Sequence, residues 1–354
     1  MRRRRGSRRN TGCLAVYAHS PSLHMVRLDS SRREKISDHV AMEISSPREL
    51  IAAIPHLLGF APDDSLVITA LAENRVASMV RIDWPAAELV LTGSLSRYAK
   101  TIEDKDIVLA FYCDGVLEDF SAINTIFISN DVLDVLQITQ NRWRSHLCTD
   151  VECCPANGRD VIAETAVVDA EFIYQGSSPF ASRDDLVDLL SPQTLDTSER
   201  AECAQAFSAL TADLDVPTEI EWFLQACDAA EKASYAVLAR GARACNEIRI
   251  RDGLLRSAFD SLEVRMKIRS WLMTNLCQIP ESHVASAATV LAGVVWLDGN
   301  GPLARIALDR ALDADPEYSL AQLLDTALVN AVPSRIWSES LEAVTYEECI
   351  RGAA

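Results

Sequence analysis

The sequence predicts an α/β (or α+β) domain with a mixed sheet, followed by an all-α helical domain. Three observations carry that prediction. Residues 107–113 are apolar at every position, the pattern of a strand covered on both faces. Two pairs of apolar segments fold back on themselves: 66–72 with 76–82 around Glu73-Asn74, and 132–139 with 142–147 around Gln140-Asn141. From about residue 196 the β-branched runs stop and alanine becomes frequent, which marks a change to helix.

A chain of 354 residues is expected to hold two domains, read here as 42–195 and 196–354. The formal net charge of −17 is unevenly spread: residues 1–41 hold ten Lys/Arg against three Asp/Glu, which leaves −24 on the rest. A body that acidic repels phosphates, so nucleic acid is not an expected partner. The basic arm 1–41 is expected to be disordered and dispensable, with Met42 as an alternative start. No stretch reaches the roughly 20 apolar residues of a spanning helix, so no membrane partner is expected. Ten cysteines without small-scaffold spacing read as reduced thiols, and the expected location is the cytoplasm.

The elements follow in order. Ser46, Pro47 and Glu49 form a capping box ahead of Leu50, Ile51, Ile54, Leu57 and Leu58 on one helical face. Pro55 lies inside this helix, and Gly59 ends it in a left-handed conformation. The first hairpin follows, then a helix over 86–100, the buried strand, a helix over 117–126 and the second hairpin. In the second half, Thr197-Ser198 is read as capping a helix to Leu214. Pro217 opens another with Ile220, Phe223, Leu224 and Cys227 at helical spacing. Further helices are expected over 233–248, 251–278 and 282–297. Residues 287–316 resemble one tetratricopeptide unit, a helical hairpin with Ala304, Ala307, Ala311 and Leu312 before Asp315-Pro316. The repeat has no second copy at the expected period. Eight basic residues between Arg240 and Arg269 are read as a solvated face or as one docking on the acidic first domain.

Three stretches also carry a family resemblance. They are residues 44–85; Arg142-Trp143-Arg144-Ser145 through Cys148 to Cys153-Cys154-Pro155; and Trp296-Leu297-Asp298-Gly299-Asn300-Gly301 with Asp315-Pro316 and Leu320-Ala321. They resemble an actinobacterial family, domain of unknown function family 4192 (DUF4192), over about residues 44–337. The turn at Gln140-Asn141 departs from the Asp/Gly turn of that pattern. The resemblance implies no particular activity.

Two clusters are candidate sites. Asp63, Asp64, Arg81 and Asp83 stand at strand ends, and Asp114 follows the buried strand, where ligands gather in open α/β sheets. Carboxylates of this kind bind cations or share protons, and they also serve as turn residues. His146, Cys148, Cys153 and Cys154 form the densest set of metal-capable groups, with Asp150 and Glu152 between them. Adjacent cysteines reach one ion only with strain, so the thiols are expected to pack inward without metal, zinc being the alternative. His56 is read as a half-exposed helical residue. Gly-rich phosphate loops, H-E-x-x-H and G-x-S-x-G are all absent, so no cofactor is expected. Trp143 and Trp296 are read as core residues.

The leading expectation is thus a non-catalytic accessory or protein-interaction module, with a protein as its partner. One alternative is an enzyme or small-ligand-binding protein with its site at the sheet edge near Asp63, Asp64, Arg81 and Asp114. The other is a metal or redox role at Cys148, Cys153 and Cys154. Convergence of the acids in one pocket, against their scatter as turn residues, separates the readings.

Overall fold

The computed structural model describes residues 15–17, 44–84, 88–115, 117, 121–174, 177–209, 215–229, 232–330 and 332–351. The expected arm 1–41 lies outside the described residues, except for the short strand β1 (Ala15–Tyr17).

Helix α1 (Pro47–Leu58) begins and ends as its sequence dictates. The Ser46 hydroxyl accepts the Glu49 amide at 3.4 Å, and Gly59 closes the helix at φ +82°, donating to the Pro55 carbonyl. The box does not close on Ser46, however. The Glu49 carboxylate takes the amide and hydroxyl of Ser45, each at 2.7 Å.

Strands β2 (Ser65–Ala72) and β3 (Arg75–Asp83) form the first hairpin. Glu73 and Asn74 both have positive φ, 52° and 63°, the left-handed pair of a type I′ turn. Helix α2 (Glu88–Thr101), β4 (Asp106–Tyr112), α3 (Ser121–Ile126), β5 (Val132–Ile138), β6 (Arg142–Ser145) and β7 (Arg159–Asp160) follow. The sheet order is β1-β3-β2-β4-β5-β6-β7, and β4 with β5 is its parallel pair. The second hairpin pairs Ile138 with Trp143 as expected. Its return strand stops at Ser145, two residues early, because the Ser145 hydroxyl takes the amides of Leu147 and Cys148.

Both faces of the sheet are covered. Leu66, Ile68, Val80, Leu109 and Phe111 pack against Leu95 and Tyr98 of α2 and Ile123 of α3. Val67, Met79, Tyr112, Leu136 and Trp143 point the other way. They join α1, α4 (Val161–Tyr174) and much of the second half in one continuous apolar cluster. The continuous apolar run of β4 is the consequence of this double cover.

After α5 (Arg183–Leu190) the chain is helical: α6 (Thr197–Ser208), α7 (Val216–Ala226), α8 (Tyr235–Asn246), α9 (Ile248–Asp260), α10 (Leu262–Asn275), α11 (Glu281–Leu297), α12 (Gly301–Ala314), α13 (Ser319–Val329), α14 (Ser334–Glu342) and α15 (Tyr346–Arg351). Asp196, and not Thr197-Ser198, caps α6 through a complete capping box. The expected end of that helix near Leu214 lies outside the described residues. The expected helix 251–278 is two: Ser261 leaves the helical conformation, ends α9 and caps α10 by accepting the Val264 amide.

The expected hairpin is α11 with α12, joined by Asp298-Gly299-Asn300. Helix α11 is buried at every residue from Val284 to Leu297, so it is the axis of the helical half. Trp296 is buried and stacked on Trp337 with centroids 6.2 Å apart. The basic stretch does not dock on the acidic sheet domain. Arg240 pairs with Glu219, Lys267 with Asp228, and Arg265 and Arg269 with Asp298, all within the helical half. No helix among the described residues is long and apolar enough to cross a membrane.

Candidate functional site at the end of the sheet

One row of residues crosses the sheet in register: Asp83, Ser65, Tyr112, Ile138 and Trp143. This row marks the carboxyl end of the parallel pair β4 and β5. The chain arriving there from α1 is fixed by Gly59 and Phe60. Phe180 donates to the Gly59 carbonyl at 2.8 Å, and the Ala61 amide donates to the Phe180 carbonyl at 2.9 Å. Those bonds hold the loop 61–64 against the start of α5. Asp64 sits at φ +41°, a left-handed position that aspartate tolerates, and its carbonyl accepts the Trp84 amide at 2.7 Å.

Asp63, Asp64, Arg81 and Asp83 all line a single cavity of about 820 Å³. The acids therefore converge. Its opposite wall comes from the second half of the chain: Arg183 at the start of α5, Glu281 at the start of α11, and Arg305, Asp309, Arg310 and Asp313 of α12. Asp114 is set apart from this group. It lines a neighbouring cavity of about 340 Å³ with Tyr112, Cys113 and Thr139, and Asp63 is shared by the two.

The arginines are mostly engaged. Arg81 donates to the buried Ser65 hydroxyl at 2.8 Å and pairs with Asp83. Arg305 pairs with Asp309 at 2.6 Å and with Asp325. Arg183 reaches Asp309 at 3.6 Å across the two helices. Asp63, Asp64, Asp184 and Asp313 form no ion pair among the described residues, so the cavity carries an excess of carboxylates.

Two buried groups lack partners there. Arg310 is 9% exposed and holds Glu281 at 2.7 Å, but its Nε and Nη2 have no acceptor among the described residues. The Tyr112 hydroxyl, of the neighbouring cavity that Asp114 also lines, is buried with no partner among the described residues, and burial raises its pKa. The Cys113 thiol is also pushed up, by burial first, and then by Asp64 and Asp114. Buried donors of this kind ordinarily find a partner, in the protein, in water or in a ligand.

The cysteine loop joins β6 to β7 and lines neither cavity. The His146 amide donates to the Val135 carbonyl at 2.8 Å, midway along β5. The sulfurs of Cys148, Cys153 and Cys154 lie within 4.8 Å of one another. His146 is not with them: its ring faces Gln137 at 3.2 Å. Asp150 and Glu152 do not join the cluster. Asp150 instead accepts the Glu152 amide at 2.9 Å, and its carbonyl takes the Cys154 amide at 2.7 Å.

His56 differs from its expected half-exposure. Its side chain is 4% exposed, stacked on Phe172 at 4.4 Å, with Nδ1 2.9 Å from the Ser177 hydroxyl and Nε2 3.5 Å from Asp169. Burial lowers its pKa, opposed by Asp169. It fastens α1 to α4.

Sequence reasoning found the sheet side of the cleft, because carboxylates at strand ends are visible locally. It missed Arg183, Glu281, Arg305, Asp309 and Arg310. Arg305 and Asp309 have the i,i+4 spacing of any solvent-facing helix, and only the tertiary fold turns them inward.

Fold and cleft together define a two-part protein, an α/β sheet domain and a helical half that close over one charged cavity. The chain belongs to the family described as domain of unknown function (DUF4192), whose model matches residues 47–335. Neither curated proteins nor solved structures give a match to the chain.

Proposed function

We propose that the protein binds a small polar molecule in the cleft at the carboxyl end of the sheet. The observation that carries this reading is the meeting of Asp63, Asp64, Arg81 and Asp83 with Arg305, Asp309 and Arg310 in one cavity. Residues more than 200 positions apart do not assemble a charged pocket for the sake of local turns. Unpaired carboxylates favour a cationic group on the ligand, and the open donors of Arg310 favour an acceptor beside it. The ligand class is therefore a small amine that also carries an oxygen acceptor, such as an amino acid or amino alcohol. Position at the end of a parallel strand pair adds support, since open sheets bind ligands there.

A thermal-shift screen of amines, amino acids and their uncharged analogues tests the reading. The expected result is a dose-dependent rise in melting temperature with a charged amine, absent in Asp64→Asn and in Arg310→Gln. A ligand that stabilises both variants as well as the parent protein sits elsewhere and overturns it.

The accessory-module reading keeps one observation. Helix α4 turns Ile162, Val167, Ile173 and Tyr174 outward, each more than 60% exposed, with Ala163, Ala166 and Ala170 between them. Small residues let a second helix approach closely, and the simplest partner is the same helix of another copy. Light scattering over a concentration series, with Val167→Asp as comparison, tests it. A parent protein that stays monomeric throughout removes this reading.

A further inference from the structure

We infer that Cys148, Cys153 and Cys154 hold one zinc ion through three thiolates, with a fourth position open to solvent. The observation is geometric. Three sulfurs within 4.8 Å of one another are close to the separation that a tetrahedral ion imposes, since Zn–S bonds of about 2.3 Å place sulfurs about 3.8 Å apart. A contraction of at most about 1 Å per pair, small beside the freedom of a cysteine χ1, seats the metal. Among the described residues no other group of three or more metal-capable side chains converges in this way.

The adjacency of Cys153 and Cys154 is the obstacle the loop resolves. A helical turn, closed by the Cys154 amide on the Asp150 carbonyl, curls both side chains toward Cys148. The Asp150 carboxylate holds the amides of Glu152 and Cys153 and so fixes that turn. From the other side, the Ser145 hydroxyl takes the Cys148 amide at 2.9 Å and is itself held by Asp134. Arg159 binds the carbonyls of Glu152 and Cys153, and so ties the turn to β7.

Hydrogen bonds order the loop, but little apolar packing supports it. Leu147 and Val151 are exposed, so it buries little apolar area. Pro155 and Gly158 set its return, and Gly158 is required there: at φ +70° a Cβ would stand 2.8 Å from the Trp143 carbonyl. Nine cysteines are free among the described residues, and these three form the group of three among them. A loop with ordered hydrogen bonds, converged thiols and no core matches what a structural zinc supplies. Zinc requires no redox partner. Each thiol gives its proton to solvent as its sulfur binds the ion.

Cys153 is exposed, and no fourth protein ligand joins the three among the described residues. The open coordination position therefore faces water. The site is independent of the cleft, since none of its residues lines that cavity, so neither inference stands or falls with the other.

The test uses the full chain, purified with a weak reductant and no chelator. Elemental analysis is expected to give about one zinc per chain, and Cys148→Ser and Cys153→Ser to lose it. Cys277→Ser, outside the cluster, is the control and keeps it. Replacement by Co²⁺ is expected to give the visible d–d bands of a tetrahedral thiolate site, lost in Cys153→Ser. Cys153 is exposed, so the serine itself removes little packing; circular dichroism of Cys153→Ser is expected to show the rest of the chain folded, which separates loss of metal from global unfolding. A metal-free parent that takes up added zinc no better than Cys153→Ser overturns the inference. So does an intact mass two hydrogens lighter under non-reducing conditions with no metal bound, which makes the cluster a disulfide.

Discussion

Two polar loops of this molecule look alike in sequence and differ in what the fold does with them. The α11–α12 turn, Asp298-Gly299-Asn300, uses both of its polar side chains for structure. Asp298 is held by Arg265 and Arg269 at 3.2 and 3.3 Å, Gly299 takes φ +73°, and Asn300 caps α12 by accepting the Leu303 amide. The sheet-end loop, Asp63-Asp64-Ser65, spends its backbone and Ser65 on structure but leaves two carboxylates facing a cavity. The two loops are near neighbours, for a Cβ on Gly59 would lie 4.0 Å from the Asn300 side chain. Composition does not separate a structural from a functional acidic turn. The presence or absence of a buried cation against each carboxylate does.

The largest expected effect is at Asp298. Its carboxylate is 10% exposed between two arginines, of which Arg265 is 12% exposed. Asp298→Ala leaves those cations without their counter-charge, and breaking a buried pair in this way costs about 3–5 kcal/mol. The expected outcome is a chain that is folded only marginally in urea titration. A loss of under about 1 kcal/mol would mean that solvent replaces the carboxylate and that this turn is less structural than its packing implies.

Trp296 sharpens the same side of the comparison. It ends α11, is 2% exposed and stacks on Trp337, which in turn donates to the Gly293 carbonyl at 2.9 Å. Trp296→Ala is expected to cost about 3–5 kcal/mol through lost area and the cavity left behind. Trp143, buried where β6 meets β5 and β7, is expected to behave alike, with no effect on ligand shifts in the cleft beyond that of stability.

A smaller effect comes from His56, where α1 meets α4. Its folded pKa is lowered, chiefly by burial. The unfolded chain therefore takes up a proton near pH 6.5 that the folded chain resists. Stability contributed at this site is complete above that pH, falls as pH drops through it, and levels off below the folded value. His146 shifts in the same direction, through burial and then Arg144. His56→Gln, which keeps a polar contact for Ser177, is expected to flatten the pH dependence of the urea midpoint between about pH 8 and about pH 5. An unchanged slope would place the titration elsewhere.

The legible part of this fold was the part set by neighbours in sequence. The Ser46 cap, the Gly59 stop, the Glu73-Asn74 turn and the apolar run of β4 all declare themselves within a few residues. Helix α4 did not, because Ile162, Ala163, Ala166 and Val167 place apolar groups on its outer side and erase the 3.6-residue period. The break between α9 and α10 at Asp260-Ser261 was hidden because no glycine or proline marks it. The cleft was half legible: its sheet residues sit at strand ends, while its helical wall depends on how α12 docks. Convergence of Cys148 with Cys153 and Cys154 depends on a turn that no spacing rule specifies.

The smallest expected effect on stability is at Asp63 and Asp64, and it is the one that decides what the cleft is for. Neither carboxylate has a cationic partner among the described residues. The Asp63 carboxylate accepts only the next amide, at 3.0 Å, and Asp64 contributes to the fold through its carbonyl and its positive φ. Asparagine keeps both features, since it accepts the same amide and tolerates the left-handed region. Asp64→Asn should therefore alter stability by no more than about 0.5 kcal/mol, the range of unconstrained surface positions. Removing one of several like charges in a shared cavity relieves repulsion, so a slight gain is the expected sign. The same substitution should abolish stabilisation by a charged amine. That pairing, no loss of fold with full loss of ligand response, is the reverse of the pattern at Asp298. If Asp64→Asn instead destabilises the chain by more than about 1 kcal/mol and ligand response persists, the two loops are both structural. The search for the site then moves to the neighbouring cavity of Asp114 and Tyr112, whose hydroxyl has no partner among the described residues.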